Sequence, residues 1–173
     1  MENHSSELQR QGSLQARKRQ PTVPPLQLLT FKVGTLTLAL PLQSIYKVTY
    51  YKAIYSNGLN AVGVTQMDDH DVTVIDLHQH LFKSPLPSPA ATTRPCLIVV
   101  QDPNQELHGL LTAGAPTLID MPPANIRVLP EAYRRADTLG IASHVAIAPQ
   151  GDTKLTIFLL DMGLLLQHSA AQN

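Results

Sequence analysis

Tryptophan is absent, cysteine occurs once, and charged side chains make up only 15% of the chain. The lone Cys96 excludes an internal disulfide, and its place at the start of the apolar run PCLIVV reads as a small packed hydrophobe, because no nearby charge would stabilise a thiolate. Thirteen basic side chains balance 13 acidic ones, giving zero formal net charge. That balance removes the basic footprint expected of a nucleic-acid binder. No stretch approaches the ~20 apolar residues that cross a bilayer, and no basic-then-apolar leader opens the chain. The expectation is a cytoplasmic protein with no direct membrane insertion. Also missing are G-x-S-x-G, G-x-x-x-x-G-K-[ST] and G-x-G-x-x-G, so neither a nucleophile elbow nor a phosphate cradle is present. No catalytic residue, metal or cofactor is expected.

What the chain does have is a 43% hydrophobic fraction over 173 residues, enough for one domain or two small subdomains sharing a core. Residues 1–25 are polar, with ARKR at Ala16 to Arg19 and prolines at 21, 24 and 25, and read as a disordered tail. From Leu26 the pattern has period two, the alternation of half-buried strands. Leu29, Phe31 and Val33 share one face, Gly34 makes a turn, and Leu36, Leu38 and Leu40 share one face of the returning strand. Pro41 opens a short turn before VTYY resumes extended structure.

Further strands are predicted at Ala61 to Met67, Val72 to Leu77, Cys96 to Gln101, Leu107 to Thr112, Ile141 to Ala148 and Leu155 to Leu160, separated by the turns DDHD, DPNQ and APQGD. The proline-rich stretch from Lys83 to Pro95 reads as an exposed connection between halves. Only DMGLLLQH, with Asp161 as N-cap, reads as a helix, and residues 169–173 as a C-terminal tail. RRAD, Arg134 to Asp137, reads as a solvated face. Many short strands with little helix point to barrels or a sandwich.

Two clusters raise the question of metal chemistry. Asp68, Asp69, His70 and Asp71 sit together in GVTQMDDHDVTVIDL, and His78 and His80 follow in HQH. If the HQH stretch is extended, its two imidazoles share a face and could ligate zinc or nickel. The alternative is that these groups are the water-facing residues of a hairpin tip and a strand end, where three converging ligands are not gathered. His108, in ELHGLL, is expected to point into water, and His144 and His168 stand isolated.

The blocks FKVGTLTLALPLQSIYKV, GVTQMDDHDVTVIDLHQHL, LIVVQDPNQELHGLLTAGAPTLIDM and LTIFLLDMGLLL, in this order, resemble those of a CheW-like domain. That family's pattern runs F-x-x-G, then V-x-E-I, then G-V-x-N-L-R-G-x-x-x-P-V-I-D-L, then G-L-x-V-D-x-V. The resemblance spans Leu28 to about Gln167 and places the domain at 26–168. It implies an all-β fold of two five-stranded β-barrel subdomains packed side by side, with a short C-terminal helix. It further implies a non-enzymatic adaptor that couples the cytoplasmic tip of a chemoreceptor to the regulatory domain of a CheA-type histidine kinase. Exposed strand edges and an intersubdomain groove suit that task. On the family's pattern Asp68 to Asp71 form a hairpin turn, and Asp76 anchors backbone donors rather than performing chemistry.

The chain departs from the pattern at charged positions. The family's arginine falls on Asp68, its glycine on Asp69, and the glutamate of V-x-E-I on Lys47. Either Lys47 and Asp68 face each other as an ion pair of swapped polarity, or the two positions drifted independently and do not touch. The family's aspartate in V-D-x-V falls on Ala113 and its valine on Ala115. The residues expected to meet partners are Lys47 and Asp68, the flanking Ile45 and Val48, and the small Gly114 and Ala115 on the groove side.

Overall fold

The computed structural model describes residues 23–50, 62–84, 94–135 and 139–170. The tail expected over 1–25 therefore lies outside the described residues except for 23–25, and the stretch expected as a linker over 83–95 except for 83–84 and 94–95. The chain opens with a hairpin, β1 (Leu26–Val33) and β2 (Leu36–Pro41), turned at Gly34 with φ +57°. A 3-10 turn over Leu42–Ser44, held by the Ser44 hydroxyl donating to the Pro41 carbonyl at 2.8 Å, leads into β3 (Ile45–Tyr50). Then come β4 (Val62–Met67), β5 (His70–Asp76) and α1 (Leu77–Phe82), followed by β6 (Cys96–Gln101) and β7 (Leu107–Thr112). The last portion holds β8 (Thr117–Met121), β9 (Ile126–Val128), α2 (Glu131–Arg134), β10 (Ala142–Gln150), β11 (Thr153–Leu160) and α3 (Met162–Ala170).

These strands form two barrel-like sheets, one of five strands in the order β3-β6-β7-β5-β4 and one of six in the order β8-β1-β2-β11-β10-β9. The expected pair of five-stranded units is thus five and six among the described residues. The sixth strand is the three-residue β9, which runs alongside β10 from His144↔Val128 to Ala146↔Ile126. The opening hairpin belongs with the C-terminal strands, because β2 lies parallel to β11 at Leu38↔Phe158 and Ala39↔Leu159.

Strand alternation sorts the apolar side chains into three cores. Leu28, Ala39, Met121, Ala146, Ile157 and Leu159 fill the six-stranded sheet from inside. Val72, Val74, Leu97, Val99 and Leu107 fill the five-stranded one. The opposite faces of the same strands meet in the largest cluster, where Leu29, Phe31 and Val33 of β1 pack with Ile75, Ile98 and Leu110 of the other sheet, α1 and α3. The expectation of half-buried strands needs correction here: β1, β2, β6 and β7 are covered on both faces, as the runs LLTF and LIVV would require.

Other expectations shift. The DDHD turn is narrower than predicted, since only Asp68 and Asp69 stand between β4 and β5, while His70 and Asp71 already pair with Met67 and Gln66. Both turn residues have positive φ, +48° and +64°, as the primed hairpin turn demands, and aspartate tolerates that region better than most side chains. Leu77 begins a helix instead of ending a strand, and α1 and α2 add to the one helix anticipated. The proline-rich stretch joins β5 with α1 to β6, whose strands share one sheet, so it does not connect the two halves. The crossing from the five-stranded to the six-stranded sheet falls instead between Thr112 and Thr117.

Two expected anchors are in place. The Asp161 carboxylate accepts from the Leu164 amide at 3.1 Å at the start of α3. Asp76 caps α1, its Oδ1 accepting from the amides of His78 at 2.9 Å and Gln79 at 3.0 Å. A helix of six residues depends heavily on such a cap. Asp76→Ala should lower stability by about 0.5–2 kcal/mol, measured as a fall in the urea midpoint.

Candidate functional site

The two outermost strands of the five-stranded sheet are β3 and β4, which are not paired with each other. Lys47 on β3 and Asp68 in the β4–β5 turn span the gap, with Nζ 2.7 Å from Oδ2. The swapped-polarity ion pair is therefore formed, and the reading of two unconnected positions is set aside. With 43% and 56% of their side chains exposed, the pair contributes only about 0–1 kcal/mol, so its value lies in what it presents rather than in what it stabilises. The pair lines a cleft together with Thr49, Tyr50, Thr65, Gln66, Met67 and Leu97.

The other expected contact residues are not gathered around this pair. Lys47 lies opposite Val99 and shares the inner face of the five-stranded sheet. Val48 lies opposite Ile98 and so takes the other face, where it remains 41% exposed. A register irregularity between Ile45 and Lys47 places Tyr46 in a bulge, and Ile45 packs against the shared core. Gly114 and Ala115 follow the end of β7, in the connection to β8, where the Thr112 hydroxyl donates to the Gly114 carbonyl at 2.9 Å. Sequence reasoning missed Tyr46 and Tyr50, which are 49% and 60% exposed and flank Val48 on the edge strand. Their signal was present in IYKVTY, a strand with large side chains at positions that should have been polar if turned to water.

The histidines proposed as metal ligands each have separate engagements. His70 Nδ1 lies 2.8 Å from the Asp68 carbonyl and His78 Nδ1 2.9 Å from the Ser84 carbonyl. On α1, His78 and His80 are two residues apart and point in different directions, since a shared helical face needs three or four. His78 stacks at a tilt on Phe82, 5.0 Å between ring centres. His80 is buried, and burial, with Lys83 and His168 adding to it, pulls its pKa below 6.5. Among the described residues Asp68, His70, His78 and His80 form no convergent ligand set.

His108 overturns its expectation most plainly. It is buried at 5% exposure, and its Nε2 lies 3.5 Å from Asp102 Oδ2. Asp102 follows β6, and its Oδ1 accepts from the Asn104 amide at 2.8 Å and the Glu106 amide at 2.9 Å, closing the DPNQ turn. Burial works against its ionisation, but the Glu106 amide, the His108 ring and the Asn104 amide outweigh it and hold the carboxyl below its usual range. Cys96 is the inert residue anticipated: buried, with its thiol pKa pushed up by desolvation. No helix among the described residues is long and apolar enough to cross a membrane.

Comparison with known proteins agrees with this architecture. Residues 27–170 match the family described as CheW-like domain. No curated protein matches the chain. Among solved structures it is similar to the scaffolding protein TtCheW from Thermoanaerobacter tengcongensis, with a TM-score of 0.65, 14% identity, and coverage of 80% of this chain and 85% of that one.

Proposed function

The chain belongs to the CheW-like domain family, and from that premise we propose that it is a cytoplasmic, non-enzymatic adaptor holding a chemoreceptor tip and the regulatory domain of a CheA-type kinase in one array. Family members are scaffolding proteins rather than enzymes. The observation that carries the reading is the edge strand β3, which presents Tyr46, Val48 and Tyr50 to solvent and bears the Lys47–Asp68 pair on the face opposite Val48. Among the described residues β3 pairs with β6 alone, and such an edge bearing apolar side chains offers backbone pairing and desolvation to a partner, while a charged rim selects which partner docks. The inverted polarity of Lys47 and Asp68 relative to the family's pattern makes this chain selective for a partner whose facing charges are inverted as well.

A binding titration against the regulatory domain of a CheA-type kinase from the same genome tests this. Lys47→Glu puts a like charge beside Asp68 and should raise Kd about tenfold while leaving thermal stability within ~1 kcal/mol of the parent. Exchanging the two residues, Lys47→Asp with Asp68→Lys, keeps the ion pair but restores the family's polarity. Stability should then match the parent while affinity stays low. Unchanged affinity in the single variant would remove Lys47 from the contact surface, and no measurable kinase binding by the parent would sink the adaptor reading.

A further inference from the structure

We infer that Asp102, Glu106 and His108, at the β6–β7 turn, form a binding site for one divalent transition-metal ion of the zinc class. One ligand atom from each lies within 4.8 Å of the others. Two carboxylates alone would say little. The independent observation is His108: its side chain is 7% exposed, neither ring nitrogen has a hydrogen-bond partner, and Nε2 is aimed at Asp102 Oδ2. A buried imidazole whose nitrogens make no hydrogen bond is costly, and its one polar contact, the Asp102 carboxylate at 3.5 Å, is itself a member of the set.

The separation is informative. At 3.5 Å, Nε2 and Oδ2 are too far apart for a good hydrogen bond. Two donors each about 2.0–2.1 Å from a tetrahedral zinc ion stand roughly 3.3 Å apart, so a small closure of this pair admits the ion. The Asp102 carboxylate is already oriented for that task. Its Oδ1 is committed to the amides of Asn104 and Glu106, leaving Oδ2 turned toward His108. Glu106 is the exposed member and supplies the entry side, with water completing the coordination. One imidazole with two carboxylates favours zinc, iron or nickel over magnesium or calcium, which take all-oxygen sets.

His108 lies opposite Val100 on β6 and Thr73 on β5, on the face turned to the core shared by the sheets. An ion here would tie the turn of one hairpin to the end of that core. Unlike the scaffolding role, this inference does not depend on any partner protein.

The test is equilibrium dialysis of the full chain against Zn²⁺, with metal analysis, paired with thermal denaturation. One equivalent per chain and a Zn²⁺-dependent rise in Tm are expected. Glu106→Gln, at an exposed position that leaves the fold alone, should weaken binding about tenfold or more, and His108→Gln should abolish it. Since His108→Gln could fail to fold, Glu106→Gln decides the matter by itself, and His70→Ala, in the separate β4–β5 hairpin, should leave binding unchanged. Absence of stoichiometric zinc, or zinc binding indifferent to Glu106→Gln, would overturn the site.

Discussion

Leu110→Ala is expected to destabilise the protein by about 2–5 kcal/mol, read as a lower denaturant midpoint with unchanged slope. Leu110 is fully buried on β7, the middle strand of the five-stranded sheet, directly opposite Ile98 on β6 and Ile75 on β5. All three side chains face the other sheet, where Leu29, Phe31, Val33, Leu38 and Leu40 complete the cluster. Truncation leaves a void between two sheets that cannot close without shifting one against the other, which places the cost toward the upper end of the range for such deletions. The same substitution tests cooperativity. If the shared cluster unites the sheets, fluorescence and circular dichroism transitions remain coincident, and two separated transitions would show that they fold independently.

Gly34→Val should cost about 1–3 kcal/mol by thermal denaturation. Gly34 turns the β1–β2 hairpin at φ +57°, a region a β-branched side chain enters only under strain. A Cβ there would also approach Phe82 Cε2 to 2.8 Å. The Phe82 ring sits at the rim of α1 and can rotate aside, so backbone conformation is the larger part of the cost. Gly34→Asn separates the two contributions, because asparagine tolerates positive φ while still carrying the Cβ. It should lose less than half as much. Equal losses for the two variants would put the ring contact, rather than the turn, in control.

How far the sequence disclosed this molecule depended on the range of the interactions involved. Alternation over Leu26–Val33 and Leu36–Pro41 exposed the first hairpin, because period two is written in neighbouring residues. The cap Asp161 was legible for the same reason, whereas the anchoring role of Asp76 came from the family's pattern. The Lys47–Asp68 contact was readable only through the family's pattern, since nothing local announces a contact between positions 21 apart in sequence. Leu77–Phe82 was hidden: LHQHLF runs on directly from the alternating strand VTVID, and six residues are too few to reveal a 3.6-residue period. β8 and β9 escaped notice because they are short and largely exposed. His108 was misassigned since alternation in ELHGLL says which residues share a face but not whether a second sheet covers the polar one. Burial on both sides is a property of packed layers, and no single strand records it.

The interleaved strand order carries a consequence for biosynthesis. The five-stranded sheet uses one continuous stretch of chain, Ile45–Thr112, and can close as soon as β7 has left the ribosome. The hairpin made first has no such option: its β2 edge waits for β11, which begins only at Thr153. During that interval Leu38 and Ala39 line an open backbone edge, the element most prone to pairing with another nascent chain. Translation pausing or truncation between Thr112 and Thr153 is where this protein is most exposed to aggregation.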